Sequence, residues 1–222
     1  MKLTSLGLAL ISLAAALPAL AADPGCALVR KAVAAGMAQP RIHAVIDAPL
    51  DADAIKMGMK PTLMHSIVID KLQFSNALDV NFSRTPLTQA GERELATDLA
   101  AFQPEAGCKL QGAERVAGRP AQVVGFSVDL GRGEARVTLW IDSASGLPLR
   151  ATSDEPDFDV STVLERGAKG GMRANVSEKA NGKRIVSTHA YLFGDAVRPP
   201  GAKGQIDAAA LAQLRSLLKG AP

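Results

Sequence analysis

Residues 139–150 read LWIDSASGLPLR, and apolar residues recur there at every second position on both sides of a turn. Successive side chains of a β-strand point to opposite faces of its sheet, so this alternation predicts a β-hairpin with one apolar face. The chain's only tryptophan, Trp140, falls on the polar parity. A sheet with one apolar face must cover it, either with a packed core or with a bound guest.

The register of this hairpin follows from the same alternation. Placing Ile141 opposite Leu149 and Leu139 opposite Ala151 keeps the apolar residues together, whereas a slip of one residue would invert one strand. This register leaves a three-residue turn, residues 144–146, in which the last residue is a glycine in the left-handed conformation before a bulge.

The register also predicts that Trp140 lies opposite Arg150, and Asp142 opposite Pro148, on the outer face. An indole ring that offers its face to a guanidinium explains the tryptophan without a ligand, at about 0.5–1 kcal/mol for an exposed pair. An aromatic platform for a sugar or a partner protein is the functional alternative.

Residues 1–21, MKLTSLGLALISLAAALPALA, combine one lysine, an uncharged apolar run, and small residues at Ala19 and Ala21. This pattern is typical of a cleavable secretory signal peptide, so we expect cleavage after Ala21 and a periplasmic protein. A transmembrane anchor is the rival interpretation, but the run contains Pro18 and no stop-transfer charges follow it. We expect no membrane-spanning segment in residues 22–222.

The length and charge of the remaining chain restrict its class. About 200 residues suit one domain and require neither a metal nor a cofactor for stability. The net charge is only +3, the basic residues are scattered and aromatic residues make up 4% of the chain, which argues against nucleic-acid binding. We therefore expect a single domain over residues 22–222, with no cofactor and no nucleic-acid partner.

The chain has two cysteines, Cys26 and Cys108, and the signal peptide places both in an oxidising compartment. We predict a disulfide between them, which would close a loop of about 82 residues and stabilise the fold by about 4 kcal/mol. Lipidation of Cys26 is the competing possibility. Residues 23–25 lack the apolar and small residues of a lipoprotein signal, so we do not expect a lipoprotein.

Three segments have helical periodicity, namely residues 24–37, 89–103 and 206–219. Asp23 and Pro24 form an N-cap and first-turn pair at the start of the first segment. We expect the second helix to cover the sheet as a lid. Strand-like segments with hairpin spacing make up most of the rest, so the predicted fold class is mainly β (α+β), with a single curved antiparallel sheet that forms an unclosed half-barrel under covering helices.

Turn signals set the expected pairing of two strands. Residues 131–132 suit a two-residue turn that places Val128 opposite Ala135 and Phe126 opposite Val137. Both pairs are apolar and lie on one face.

Two further segments carry turn signals. Asn181 and Gly182 are a strong hairpin signal between strands at 172–179 and 183–193. Residues 154–159 are acidic and interrupted by proline, which indicates a loop.

This organisation, with the hairpin above and CKLQGAERVAGRPAQVVGF at residues 108–126, resembles the LolA/LolB-like periplasmic lipoprotein-carrier superfamily. Small periplasmic relatives share a cysteine, a G-x-E, a G-x-x-A and then the hairpin. Gly112, Glu114, Gly118 and Ala121 match that pattern here. The resemblance implies an unclosed half-barrel around a hydrophobic cavity that receives acyl chains beneath covering helices. Because the chain has no lipobox and few aromatic residues, we expect a soluble carrier or sensor rather than a membrane-tethered acceptor.

A cavity of this kind would be lined by residues on the apolar parity of their strands, under a lid stripe from the second helix. The predicted wall residues are Ile42, Ile46, Val124, Phe126, Val128, Val137, Leu139, Ile141, Leu147 and Leu149, and the predicted lid residues are Leu95, Leu99 and Phe102.

Catalytic and metal-binding patterns are weak. His43, His65 and His189 all lie in predicted strands without the spacing of a zinc motif, and Ser127 is in mid-strand without a G-x-S-x-G turn. The acidic residues of 154–159 lack the glycine and ligand order of a calcium loop. We expect no metal site and no enzymatic activity.

Two functional hypotheses follow. The first is a soluble periplasmic binding protein that holds an acyl chain or similar apolar ligand in the half-barrel, in lipid or lipoprotein trafficking or in envelope sensing. The second is an accessory module that binds an envelope protein, with a core filled by its own side chains and no small ligand.

Overall fold

A computed structural model of the protein describes residues 23–49, 63–75, 83–86, 102, 104, 106–129, 133–166 and 172–219. Two α-helices, α1 (Pro24–Met37) and α2 (Ala208–Leu218), lie near the ends of this part of the chain. Between them are nine strands: β1 (Arg41–Asp47), β2 (Met64–Ile69), β3 (Leu72–Ser75), β4 (Ser83–Pro86), β5 (Lys109–Val116), β6 (Arg119–Asp129), β7 (Glu134–Asp142), β8 (Pro148–Arg166) and β9 (Met172–Phe193).

The nine strands form one sheet in the order β4-β3-β2-β1-β9-β8-β7-β6-β5. Every pairing in it is antiparallel. The sheet is open, because β4 and β5 at its two edges do not pair with each other. The predicted single unclosed antiparallel sheet with covering helices is therefore confirmed. Pairing of β1 with β9 joins the first and last strands in the middle of the sheet.

Helix α1 begins where the sequence predicts. The Asp23 carboxylate accepts a hydrogen bond from the Gly25 N–H at 2.9 Å, and Pro24 occupies the first turn, where its missing N–H costs nothing. The predicted disulfide joins Cys26 to Cys108, with their Cα atoms 5.1 Å apart. A Cβ atom at Gly25 would lie 3.1 Å from the Cys108 Cβ, so glycine lets the helix approach this closely.

Asp207 caps the start of helix α2, since its carboxylate accepts a hydrogen bond from the Ala210 N–H at 2.9 Å. Ala210, Leu214 and Leu217 are its buried residues, and they recur at the three- and four-residue spacing of one helix face. The helix therefore packs as the amphipathic segment that the sequence predicts over residues 206–219.

The two helices cover opposite faces of the sheet. We call the side beneath α1, which carries Val124, Leu139 and Ala151, the α1 face. The opposite side, which carries Val45 and Leu192 beneath α2, is the α2 face. Both faces hold buried apolar residues, so the expectation of a single apolar face is wrong.

The hairpin at residues 139–150 differs from its predicted register at one point. Leu139 pairs with Ala151 and Trp140 with Arg150, as predicted, but Ile141 pairs with Pro148 rather than with Leu149. A bulge between these pairs leaves Leu149 as the additional residue of β8. One inserted residue reverses the alternation beyond it, so Leu149 lies in the core of the α2 face.

The turn of this hairpin is longer than predicted. The Asp142 N–H donates to the Leu147 carbonyl at 2.9 Å, which closes a four-residue loop, residues 143–146, rather than a three-residue one. Asp142 therefore faces Leu147 and not Pro148. Gly146 has the predicted left-handed conformation, with φ of 71°.

The predicted hairpin at Asn181 and Gly182 is also wrong, because β9 runs through this point without reversing. The pair instead lies in an irregularity of the β8–β9 ladder, opposite Asp157. The Asn181 Nδ2 atom donates to the Asp157 carboxylate at 2.8 Å, and the Lys183 N–H donates to the Asn181 Oδ1 atom at 2.9 Å. Residues 154–159, expected to form a loop, belong to β8.

The predicted pairs Val128–Ala135 and Phe126–Val137 are both present. Residues 1–21, the turn at 131–132 and most of the predicted lid at 89–103 lie outside the described residues.

Candidate ligand-binding face

Eight of the ten predicted wall residues lie on the α1 face, since the pairings of β1, β6, β7 and β9 give them the same parity. They are Ile42, Ile46, Val124, Phe126, Val128, Val137, Leu139 and Ile141. The alternation within each strand was sufficient to group them.

Two wall residues do not join this group. Leu149 lies on the α2 face because of the bulge, and Leu147 precedes β8 in the half-buried end of the turn. Of the predicted lid residues, Leu95 and Leu99 lie outside the described residues. Phe102 is buried in the core of the α1 face, and its ring meets the His189 ring edge-on at a centroid distance of 5.4 Å.

The part of the α1 face over β6 and β7 is closed. Val124 is 0% exposed and Leu139 is 1% exposed. Val29 and Val33 of α1 belong to the same apolar cluster, and the disulfide at Cys26 holds the helix in this position. A ligand could reach this part only by displacing a covalently tethered helix.

The part of the same face over β1–β3 is only partly covered. Its half-buried residues are Ala44, Ile46, Met64, Ser66, Gln73 and Ser75. None of these residues is charged. The α1 face therefore combines a closed half with an accessible, uncharged half.

A small polar cluster lies between these two halves and was not predicted from the sequence. The Ser153 and Ser187 hydroxyls are 2.8 Å apart, and the Ser187 hydroxyl is 3.1 Å from the His189 Nε2 atom. Ser153 is buried, whereas Ser187 and His189 are half-buried. Ser187 and His189 have the same parity in one strand, which is the only local signal of the cluster.

His189 remains neutral in this setting. Desolvation by the surrounding apolar residues lowers the pKa of its imidazole to about 4, although the ring is not fully enclosed. At neutral pH the cluster therefore offers hydrogen bonds without charge.

The α2 face contains a pair of histidines. His43 Nε2 and His65 Nδ1 are 3.0 Å apart in neighbouring strands, so one ring donates to the other. Desolvation, followed by repulsion from His65, lowers the pKa of His43 to about 3. Desolvation, followed by the positive charge of Arg215 on α2, lowers the pKa of His65 to about 4. The pair is thus buried in the neutral form beneath α2.

Trp140 also lies on the α2 face, where it packs against the edge of that core. The Arg150 guanidinium carbon is 4.6 Å from the centre of the indole ring, which is the predicted cation–π contact. The indole N–H donates to a Glu114 carboxylate oxygen at 2.8 Å. These contacts account for the tryptophan on the polar parity.

Asp142 organises the turn of the hairpin. Its Oδ2 atom accepts hydrogen bonds from the Arg119 guanidinium at 2.7 Å and from the Ser145 hydroxyl at 2.6 Å. Burial acts to raise the pKa of Asp142, but the hydrogen bonds from Ser145 and Arg119 outweigh it, and the pKa is lowered. The carboxylate is therefore ionised and structural.

Within the described part of the chain, no group of three or more His, Cys, Asp or Glu side chains is arranged to hold a metal ion. None of the helices described there is both long enough and apolar enough to cross a membrane.

Residues 74–166 match the family model of the MucB/RseB N-terminal domain. The matched region begins in β3 and ends with β8, so it includes the hairpin at 139–150 and most of the closed half of the α1 face. None of the curated proteins compared with this chain matches it in sequence.

Three solved structures are similar to this chain at low sequence identity. LprF from Mycobacterium bovis is 13% identical, with a TM-score of 0.47 over 82% of this chain and 99% of that chain. The lipoprotein LppX from Mycobacterium tuberculosis is 13% identical, with a TM-score of 0.43 over 79% and 98%. A DUF1329 family protein from Desulfovibrio piger is 10% identical, with a TM-score of 0.29 over 80% and 95%. The family match over residues 74–166, together with the single open antiparallel sheet covered by helices, supports the resemblance to the LolA/LolB-like superfamily.

Proposed function

We propose that the protein is a non-enzymatic binding protein that holds an acyl chain, or a similar apolar ligand, on the α1 face. The observation that carries this proposal is the uncharged, half-covered surface over β1–β3, which continues into a closed apolar wall over β6 and β7. Each methylene group removed from water on such a surface contributes about 0.8 kcal/mol. A chain of ordinary fatty-acid length would therefore bind through many small contacts rather than through one polar anchor.

The cover of this face has a fixed part and, we infer, a movable part. Helix α1 is fixed by the bridge at Cys26. Phe102, at the end of the predicted lid at 89–103, rests on His189 between the two halves of the face. A ligand that enters from the β1–β3 side would displace Phe102, together with Leu95 and Leu99 of the lid.

The same proposal includes the cellular setting. We infer export through a cleavable signal peptide at residues 1–21, a single domain over 22–222 and a periplasmic location without lipidation. The disulfide between Cys26 and Cys108 supports an oxidising compartment. Trafficking of lipid or lipoprotein and envelope sensing both fit a carrier of this kind.

Titration with a fluorescent fatty acid tests the proposal. Ile46 is half-buried on the α1 face, so Ile46→Glu places a charge on the binding surface without opening the closed core. We expect this variant to weaken probe binding by at least tenfold, because an unpaired carboxylate beside an acyl chain is poorly solvated. Val186→Glu is the matched control, since Val186 is exposed on the α2 face of the same β9 strand that pairs with Ile46.

Saturable binding that is lost with Ile46→Glu and retained with Val186→Glu supports the assignment. A wild-type protein that binds no apolar probe would remove its basis, and equal loss in both variants would place the ligand elsewhere.

The second candidate is a protein-binding accessory module with a self-filled core. It is favoured by the near-complete burial of Val124 and Leu139 beneath the protein's own helix. Native mass spectrometry of protein purified from a bacterial periplasm separates the two candidates. Lipid that is retained at a fixed stoichiometry supports the carrier, and a lipid-free protein that still captures an envelope protein supports the module.

A further inference from the structure

We propose that Ser153, Ser187 and His189 form a hydrogen-bonding site for a neutral carbonyl oxygen, so that the ligand is an acyl ester rather than a free fatty acid. This inference rests on the proposed function, because it concerns the polar end of the apolar ligand. Among the described residues, these three form the hydrogen-bonded side-chain cluster that lies on the α1 face between its closed half and its accessible half. The inference gives this cluster a role.

The cluster has one hydrogen to spare. Two hydroxyl groups and one neutral imidazole carry three polar hydrogens, and the two contacts at 2.8 Å and 3.1 Å use two of them. If Ser153 donates to Ser187 and Ser187 to His189, the remaining hydrogen is on the imidazole. In the reverse direction it is on Ser153. Because Ser153 is buried and His189 is half-buried, the first arrangement is the one that can donate to an acceptor from outside, and a carbonyl oxygen is such an acceptor.

The charges around the cluster select against a carboxylate. The paired residues of the α1 face next to it are Ile42, Ala44 and Ile46 in β1, Ala135, Val137, Leu139 and Ile141 in β7, Ala151, Ser153 and Glu155 in β8, and Ile185, Ser187, His189, Tyr191 and Phe193 in β9. This set contains no lysine or arginine, and its one charged residue, Glu155, is acidic. These described strand residues would offer a buried carboxylate no counter-ion, whereas an ester carbonyl needs only a donor.

The position of the cluster suits the polar end of a chain. Ser187 and His189 are half-buried, and Ile46 lies directly opposite His189 in the neighbouring strand. The Phe102 ring lies nearly perpendicular to the imidazole, with the two ring centroids 5.4 Å apart. When Phe102 moves aside, the carbonyl oxygen takes its place beside the cluster, while the acyl chain lies on the apolar surface.

Three probes test the inference: the methyl ester of pyrenedecanoic acid, the free acid, and decylpyrene, which has no oxygen. The ester is more hydrophobic than the anion of the free acid, so a difference between their affinities for the wild-type protein does not by itself reveal a carbonyl site. The deciding measurement is therefore the change that Ser187→Ala causes in the affinity for each probe. We expect the variant to weaken binding of the ester by about threefold to tenfold and to change binding of decylpyrene by less than about twofold. Thr188→Ala is the matched control, because Thr188 is the next residue and lies half-buried on the α2 face.

Selective loss of ester affinity in Ser187→Ala, with normal affinity in Thr188→Ala, supports the carbonyl site. If Ser187→Ala changes the affinities for the ester and for decylpyrene equally, or changes neither affinity, the carbonyl site is overturned while the proposed function stays in place. If the wild-type protein binds none of the three probes, the proposed function fails and this inference fails with it. His189→Phe provides a second variant, since it keeps an aromatic ring beside Phe102 and removes both ring nitrogens.

Discussion

The two faces of the sheet are each covered by one helix, but the covers are attached in different ways. On the α1 face, the disulfide between Cys26 and Cys108 ties α1 to the start of β5. On the α2 face, α2 is held by the packing of Ala210, Leu214 and Leu217 over the core of the face that also carries the buried His43–His65 pair. One cover is therefore covalent, whereas the other is held by non-covalent packing on the face that carries the neutral His43–His65 pair.

This difference indicates how the two faces can respond to their surroundings. A covalent tether stabilises α1 independently of pH but depends on the redox state. Buried neutral histidines make the α2 side sensitive to acid. The candidate ligand surface thus lies on the face that α1 covers, and the disulfide that holds α1 does not titrate. Three measurements test this difference between the two faces.

Removal of the disulfide should have the largest effect. A bridge across a sequence separation of 82 is expected to contribute about 4 kcal/mol to the free energy of unfolding, because it restricts the unfolded chain. We expect the double variant Cys26→Ala/Cys108→Ala to lose about that amount in denaturant titration. Native-state hydrogen exchange should then show α1 losing protection before α2.

Wild-type protein under reducing conditions is the control, since it should reproduce the loss without a change in sequence. Equal loss of protection in both helices would show that the two covers are not independent.

Truncation of one leucine on each face should have the next largest effect. Leu139 on the α1 face and Leu149 on the α2 face are both 1% exposed, so each change to alanine should cost about 2–5 kcal/mol of unfolding free energy. Only Leu139→Ala should also alter the affinity for an apolar probe, because Leu139 belongs to the closed wall that continues the proposed ligand surface, whereas Leu149 lies on the opposite face. Fluorescence titration under conditions where both variants are folded measures the difference. An equal effect on affinity would contradict the assignment of the ligand to one face.

Acid should act mainly on the α2 face, with an effect that is spread over several pH units. The pKa values of His43 and His65 are about 3 and about 4 in the folded protein, below the ordinary value of 6.5. Their contribution to stability is complete above pH 6.5 and is lost as the pH falls towards 4, because the unfolded chain then binds more protons. Each histidine contributes a slope of up to about 1.4 kcal/mol per pH unit.

Denaturant titrations between pH 7 and pH 4 measure this slope. In the wild-type protein, we expect the acid-induced loss of exchange protection to begin in α2. We expect His43→Gln to make the slope of stability against pH shallower. His189→Gln, on the α1 face, should also reduce the slope, since the pKa of His189 is lowered to about 4, but the acid-induced loss of protection should still begin in α2. An unchanged slope in His43→Gln would show that this histidine is not the source of the acid sensitivity.

Much of the architecture is determined by local features of the sequence. Alternation within a strand placed Val124, Phe126, Val137 and Leu139 on one face, since the period of two is a property of the extended backbone itself. The helix start at Asp23 follows equally from local chemistry, because a capping carboxylate and a first-turn proline act within a few residues. With only two cysteines, the disulfide was also accessible from the sequence.

Only the tertiary structure decided which residues oppose one another where the ladder is irregular. One extra residue in β8 moved Leu149 to the other face, and the continuous β9 strand overrode a strong turn signal at Asn181 and Gly182. Neither outcome has a local signature, because a bulge is selected by the fit of the whole neighbouring strand and by the core on each face. The meeting of Ser153 with Ser187, and of His43 with His65, likewise depends on pairing between strands that are distant in the chain, which no short segment of the sequence encodes.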